Sequence, residues 1–243
     1  MQVLASISDD CQVKLWNIKS IQKDHESSNG FIEQFMTLRG HSGPIMSITG
    51  SQQDTDKLLF TAGQEGIIRV WNAPENAGDE KFPTTNGRNH CVAVLDDSVS
   101  EPVWQVQYHP FTNMLLSLKS EKLIQVWDCK DIVEKAKSYS HGDVEKCKAD
   151  FLKLTSPMKE FSFDEAAKDA VPTSCSWLPT DSNLFVVGFS SGQVAFFDYK
   201  TGKVQHSADL ESEVVSITSH ELQSVIVTGH LDGNIKVYDF STK

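Results

Sequence analysis

Three short stretches carry residue types in patterns that elsewhere do chemistry. "GFSSG", residues 188–192, has the Gly-x-Ser-x-Gly spacing of an acyl-transfer nucleophile, in which a tight turn lifts a serine hydroxyl off the end of a strand. "HELQS", residues 220–224, opens like the zinc-binding pattern His-Glu-x-x-His, and Gly202-Lys203 has the Gly-Lys pair of a phosphate-binding loop. Each fails on what must surround it. The serine motif needs a helix after its turn and an acid and a histidine downstream, whereas "QVAFFD" follows and alternates as a strand does. Ser224 stands where the second zinc ligand belongs, and no glycine precedes Gly202 at loop spacing. The eight histidines are scattered without ligand spacing; His41 reads as a buried structural residue and His109, before Pro110, as a turn residue. The chain is therefore read as non-enzymatic, with no catalytic residue, no cofactor and no metal ligand assigned.

Composition narrows the remaining classes. The formal net charge of -11 disfavours phosphate attraction, so nucleic acid and anionic membrane surfaces are poor partners, and a protein with basic patches fits better. No apolar run approaches the ~18 residues of a membrane helix, and the start, "MQVLASISDD", lacks the basic and long apolar regions of a secretory signal. The five cysteines, Cys11, Cys91, Cys129, Cys147 and Cys175, are odd in number, widely spaced and never Cys-x-x-Cys, which reads as reduced thiols and a cytoplasmic location.

The elements that position these residues repeat. "SISDDCQVKLWN" (6–17), "TAGQEGIIRVWN" (61–72), "SLKSEKLIQVWD" (117–128), "VGFSSGQVAFFD" (187–198) and "TGHLDGNIKVYD" (228–239) each run from an apolar strand through a polar or Gly-containing turn. A second, alternating strand then ends in an aromatic residue followed by Asn or Asp, so each stretch is a hairpin. Upstream of four hairpins lie further strands, "PIMSITGS", "PVWQVQYHP", "PTSCSWLP" and "EVVSITSH". Before those come fourth-strand candidates, "EQFMTLRGH", "HCVAVLD", "MKEFSF" and "KVQHSADL". Four antiparallel strands per repeat make the blade of a propeller, and an internal repeat of this kind sets the whole fold.

The repeat divides the chain into a half blade at 1–18 and blades at about 33–73, 90–129, 158–200 and 203–240. Insertions at 19–32, 74–89 and 130–157 account for aromatic intervals longer than the ~40–45 residues of such repeats. Within the last insertion, "DIVEKAK" (131–137) and "DVEKCKADFLKL" (143–154) have helical periodicity. Ser156-Pro157 reads first as a surface loop, with proline-directed phosphorylation as the second reading. The fold class expected is all-β: an incomplete propeller of about four and a half blades from a seven-bladed ring, and hence a fragment of a longer protein.

On these residues the chain resembles the WD40 family along nearly its whole length. That resemblance implies a buried, hydrogen-bonded tetrad of His, Ser/Thr, Asp and Trp in each blade. Its fullest match is His41 in "RGHSGP" with Thr61 and Trp71, Glu65 standing where Asp is expected. Ser6, Asp10 and Trp16 match in part, as do Thr228, Asp232 and Tyr238. Trp127 ends the third hairpin, but Glu121 and Ser191 replace Asp in the third and fourth. A narrower resemblance, carried by "ASISDDCQVKLWNI", "TLRGHSGPIMSI", "EPVWQVQYHP" and "TGHLDGNIKVYDFSTK", is to the striatin family. It implies a scaffold that brings protein phosphatase type 2A together with kinases.

Propellers without catalytic residues act through the loops at their ends. The expected partner face is built from the loops into each inner strand and the turns between middle strands: Asp9, Ser42, Pro44, Gln64, Glu101, Ser120, Ser190 and Leu231. Taken singly, each also reads as a turn-capping residue. The alternative is a substrate receptor of a cullin ubiquitin ligase, a class that resemblance associates with Asp-x-Arg after the blade's Trp. Here "WNIK", "WNAP", "WDCK", "FDYK" and "YDFS" carry no Arg. An enzyme on a propeller scaffold ranks third, and the oligomeric state stays open.

Overall fold

The computed structural model describes residues 3–17, 34–51, 58–73, 90–109, 111–119, 123–138, 151–163 and 170–241; the insertions at 19–32 and 74–89, residues 139–150, Ser120, Glu121 and Cys147 lie outside them. Two compact units are distinguished, Met1–Val103 with Lys130–Ser156 and Trp104–Cys129 with Pro157–Lys243.

In the first unit, β1 (Val3–Ile7) and β2 (Gln12–Asn17) form a hairpin to which β3 (Met36–Arg39) adds. A second sheet runs β4 (Ile45–Gly50), β5 (Leu58–Gly63), β6 (Ile68–Asn72) and β7 (Cys91–Leu95). The second unit contains β8 (Val103–Tyr108) from Trp104 onward, β9 (Met114–Lys119) and β10 (Leu123–Asp128). After them the first unit resumes with α1 (Lys130–Ser138) and β11 (Leu152–Leu154), which pairs in parallel with β7. β12 (Lys159–Ser162) completes the sheet of β8, β9 and β10. β13 (Pro172–Trp177), β14 (Leu184–Phe189), β15 (Gln193–Asp198) and β16 (Val204–Asp209) form the next sheet. The last is β17 (Val214–Ser219), β18 (Val225–His230) and β19 (Ile235–Asp239).

These sheets are offset by one strand from the repeats at 33–73, 90–129, 158–200 and 203–240. The strand that opens each repeat does not join the strands that follow it: β3 pairs with β2, β7 with β6, β12 with β10 and β16 with β15. The free edge of a hairpin's second strand takes the next strand to arrive, and the chain then crosses to begin a new sheet.

Helical periodicity at 131–137 corresponds to α1, whose Ile132, Val133 and Ala136 are buried. Asp131 in its first turn and Lys135 and Lys137 in its last complement the helix dipole. The helical expectation for 143–154 is corrected at its end, where 152–154 is a strand. Leu152 and Leu154 are half-buried while Lys153 points out to Asp96, 2.8 Å away, and the unpaired edge of β7 favours that two-residue alternation over a helical turn.

Of the five repeated hairpins, the four whose turns lie among the described residues share one turn. Cys11, Gly66, Gly192 and Gly233 donate their N–H to the carbonyl three residues earlier, at 3.0 to 3.2 Å, and all four have positive φ. This is a tight turn closed by a left-handed residue, which glycine adopts without penalty. Cys11 adopts it at φ 63° with a Cβ.

Burial follows the pleat. Val13, Leu15, Leu38, Ile45, Leu59 and Trp71 fuse the two sheets of the first unit into one core. In the second unit, Phe161, Phe163, Phe185, Phe189, Phe197 and Trp177 pack edge-on or stacked between one pair of sheets. Val186, Phe196, Val214, Ile217 and Ile226 fill the space between the next pair.

The inner strands of the second unit solve a separate problem. β13 bonds to β14 on one side only, so the N–H groups on its other edge need acceptors. Gln105 Oε1 accepts from Cys175 N (2.8 Å), and Gln107 Oε1 accepts from Trp177 N (2.5 Å). Ser174 Oγ accepts from Ile217 N of β17 (3.1 Å), and Ser219 Oγ donates to the Trp177 carbonyl (2.5 Å). Polar side chains on neighbouring inner strands thus replace the missing backbone ladder.

Relieving the left-handed strain at Cys11 tests the turn argument. Cys11→Gly is expected to stabilise the protein by about 0.5–1 kcal/mol, after the entropic cost of a glycine in the unfolded chain is subtracted. Urea unfolding reads this directly, and a destabilised variant contradicts it.

Candidate functional site

The most complete polar constellation lies in the β4–β7 sheet. Thr61 opposes Arg69, and Trp71 opposes Leu59, so Thr61 and Trp71 are diagonal neighbours on one face of the hairpin. The Trp71 indole N–H donates to Thr61 Oγ1 at 2.8 Å. Thr61 Oγ1 lies 2.7 Å from His41 Nε2, and His41 Nδ1 lies 2.5 Å from Glu65 Oε1. A carboxylate only accepts, so Nδ1 carries a proton; with a neutral imidazole the threonine hydroxyl then donates to Nε2. That arrangement pairs Trp71 Nε1, Thr61 Oγ1, both His41 ring nitrogens and Glu65 Oε1. Thr61 and Trp71 are fully buried, as is the His41 side chain. Gly63 is required beside them, because any side chain there would overlap the Glu65 carboxylate and the His41 ring. Burial raises the Glu65 pKa, but the hydrogen bond and electrostatic attraction of the His41 N–H, with the backbone N–H groups of Glu65 and Ser42, outweigh it and hold the carboxyl below its ordinary value.

The same ten-residue spacing makes the indole bond twice more, from Trp16 to Ser6 Oγ (2.9 Å) and from Trp127 to Ser117 Oγ (3.0 Å). Asp10 is not brought to Ser6 and Trp16. It lies in the exposed turn, accepting from Gln12 N and pairing with Lys14 at 3.5 Å. Thr228, Asp232 and Tyr238 also do not assemble. Thr228 Oγ1 meets His230 Nε2 (2.8 Å), Asp232 accepts from Asn234 in the turn, and the Tyr238 hydroxyl reaches His206 Nε2 (2.6 Å). A phenol places its polar atom farther from the backbone than an indole does, so the hydroxyl passes Thr228 and reaches β16. In the fourth hairpin Val187 and Phe197 occupy these positions, and Phe197 stacks on Phe185 at 5.4 Å.

The expected partner face divides between the units. Asp9 and Gln64 are exposed turn residues, Ser42 is exposed, and Pro44 and Glu101 are half-buried. Their loops are tied together: Gln64 N donates to the Pro44 carbonyl (2.8 Å), and Gly66 backs onto the Val99 and Glu101 carbonyls, 2.8 and 2.9 Å from where a Cβ would lie. Antiparallel pairing requires this, since Ile45 at the start of β4 opposes Gly63 at the end of β5. In the second unit Ser190 N donates to the Val171 carbonyl, Ser190 Oγ accepts from Val171 N, and Leu231 N donates to the Glu213 carbonyl. Leu231 is 69% exposed. Ser120 falls outside the described residues.

The other motifs are turns. Ser190 sits in the β14–β15 hairpin with no helix behind it. His220 Nδ1 accepts from Leu222 N and Gln223 N at 3.1 Å each, and Gly202 N donates to the Asp198 carbonyl in the β15–β16 turn. His109 follows β8 as expected of a turn residue but is fully buried, edge-on to Trp177 at 5.1 Å, and burial pushes its pKa down to about 4. Cys11, Cys91, Cys129 and Cys175 are free thiols, and burial raises Cys175 to about 12. Among the described residues no group of three or more His, Cys, Asp or Glu is placed to hold a metal, and no helix is long and apolar enough to cross a membrane. Gln105, Gln107, Ser174 and Ser219 were not singled out by sequence. Their only signal is polar side chains recurring along strands that also carry apolar residues.

Because the Glu65 carboxyl is depressed in the folded state, the stability it contributes is present above its ordinary value of 4.5 and is lost as pH falls through the lowered value. Glu65→Gln is expected to destabilise the protein by about 1–2 kcal/mol at neutral pH, with the gap to wild type closing at acidic pH, below the ordinary value of 4.5. Urea unfolding at both pH values measures this, and a gap that does not change with pH contradicts the charged role.

Comparison with known proteins agrees with this geometry. Residues 32–72, which contain His41, Thr61, Glu65 and Trp71, match the WD domain, G-beta repeat family. Striatin-3 of Rattus norvegicus is 25% identical over 248 aligned positions covering 99% of this chain, and human striatin is 23% identical over 256 covering 99%. The chain spans 28% of the length of each. Among solved structures, a chain from the "Crystal Structure of Mitotic Checkpoint Complex" superposes with a TM-score of 0.67 at 17% identity, covering 99% of this chain and 60% of that one. The computationally designed Ika8 protein gives 0.58 at 18% identity, covering 99% and 56%. These two likenesses concern the fold alone, an all-β propeller architecture. With one stretch matching the G-beta repeat and sequence similar to the striatins along 99% of its length, the chain is similar to WD40-repeat proteins.

Proposed function

We propose that this chain is a protein-recognition module that binds through the turn-bearing ends of its sheets, in the manner of a striatin-like scaffold linking protein phosphatase type 2A with kinases. The observation that carries the reading is the tethering of exposed turns to structured loops. Asp9, Gln64 and Leu231 present exposed side chains, while bonds such as Gln64 N to Pro44 O and Leu231 N to Glu213 O hold the backbone beneath them. A surface ordered before binding loses less conformational entropy when a partner docks. Striatin relatives supply the second support, and the phosphatase and kinase link rests on that likeness alone. The reading assigns no catalytic step to the chain.

Purified type 2A phosphatase, captured on the immobilised chain, tests both parts. The triple variant Asp9→Lys, Gln64→Lys, Glu101→Lys and the separate variant Leu231→Asp should each weaken capture about tenfold or more, with melting temperatures within about 2 °C of wild type. Undiminished capture by both variants means the face is wrong. Failure of the wild-type chain to capture the phosphatase means the striatin-type partner is wrong.

A further inference from the structure

At the other end of the second unit's sheets lies a groove that the partner face does not use. Leu184 opposes Asp198 at the end of β14 and β15 remote from the Ser190 turn. Around them opens a cavity of about 540 Å³ between the β13–β16 sheet and the β17–β19 sheet, within the size range of side-chain and small-ligand sites. Its floor is Phe196, which is buried, and Phe240 stands against it with ring centroids 5.3 Å apart. His206 lines the wall, fixed by its 2.6 Å bond to the Tyr238 hydroxyl.

Two carboxylates complete the rim, Asp181 and Asp198. Asp181 Oδ1 accepts from Asn183 N at 3.1 Å; Asp198 Oδ1 accepts from Lys200 N (2.8 Å) and Thr201 N (2.9 Å). In both, the turn bonds go to Oδ1. Neither makes an ion pair within 4.0 Å among the described residues. Hydrogen bonds from the Thr201 and Lys200 N–H groups hold the Asp198 carboxyl below its ordinary value, so it is charged at neutral pH.

We propose that this groove binds an arginine side chain of a partner peptide, the guanidinium lying against the Phe240 and His206 rings with its N–H fork on Asp198 and Asp181. A planar cation that stacks on rings and donates to carboxylates in pairs matches aromatic walls with an acidic rim. Lysine brings the charge without the plane, and an apolar side chain leaves the carboxylates unpaired. The chain's net charge of -11 favours approach of a basic segment to this rim.

The test is a titration of the ¹⁵N-labelled full chain with the pentapeptide amide Gly-Leu-Arg-Leu-Gly, followed by backbone amide shifts, with Gln and Lys versions of the central residue as controls. Saturable shifts are expected at Asn183, Gln205, His206 and Ser241, with the Arg peptide binding about tenfold more tightly than the Gln peptide. Asp198→Asn and Asp181→Asn each keep the Oδ1 acceptor of the turn and remove only the charge. The double variant should therefore fold as wild type, which the spectrum itself reports, and lose at least about tenfold in affinity for the Arg peptide. No shifts at about 1 mM peptide, shifts confined to other surfaces, equal binding of the Gln peptide, or full affinity in the double variant each overturn the proposal. This site is remote from the Ser190 turn, so failure here leaves the proposed partner face standing, and failure of phosphatase capture leaves this groove standing.

Discussion

The inner edge of each sheet is the constraint on which the rest depends. Sheets that stack on their faces leave their innermost strands without a backbone partner on one side, and buried N–H and C=O groups must still be satisfied. In the second unit Gln105, Gln107, Ser174 and Ser219 do this from one inner strand to the next. In the first, the line from Trp71 through Thr61 and His41 to Glu65 ties a hairpin to the loop that precedes β4. Apolar packing supplies most of the stability, but it does not by itself choose where a loop or turn sits. These directional bonds do.

That division of labour bears on function. The relay ends on Glu65, in the turn between β5 and β6, and Gln64 beside it donates to the Pro44 carbonyl. Buried bonds thereby order a surface whose outward side chains are free to differ. The groove between Phe196 and Phe240 in the second unit follows the same logic, with turn bonds holding Asp181 and Asp198 at its rim. Rigid polar groups on a packed frame suit recognition, since little ordering remains to be done on binding.

Repetition was legible because the hairpin imposes it. A hydroxyl and an indole ten residues apart become diagonal neighbours in the register these hairpins share, so Ser6 with Trp16, Thr61 with Trp71 and Ser117 with Trp127 recur for one geometric reason. What periodicity does not carry is the identity of a strand's partner. Nothing in "MTLR" says that β3 bonds backward to β2 and not forward to β4; the free edge of the hairpin decides. Leu152–Leu154 was hidden for a related reason, being three residues beside a run with helical spacing, ordered only by the edge of β7. The Thr228 and Tyr238 pair matched by position and not by reach. Gln105 and Gln107, polar on a half-buried strand, resemble solvent-facing residues until the neighbouring strand is known.

The buried relay positions the turn between β5 and β6 and does not merely add stability. Amide hydrogen exchange in wild type and Thr61→Val tests it most directly, because the substitution keeps the side chain's shape and removes the oxygen that joins Trp71 to His41. Exchange at Gln64, Glu65 and Gly66 is expected to accelerate by about tenfold or more while the centre of β5 at Leu59 and Phe60 stays protected, a local opening. Unchanged exchange in the turn, or equal acceleration across the whole first unit, would contradict it.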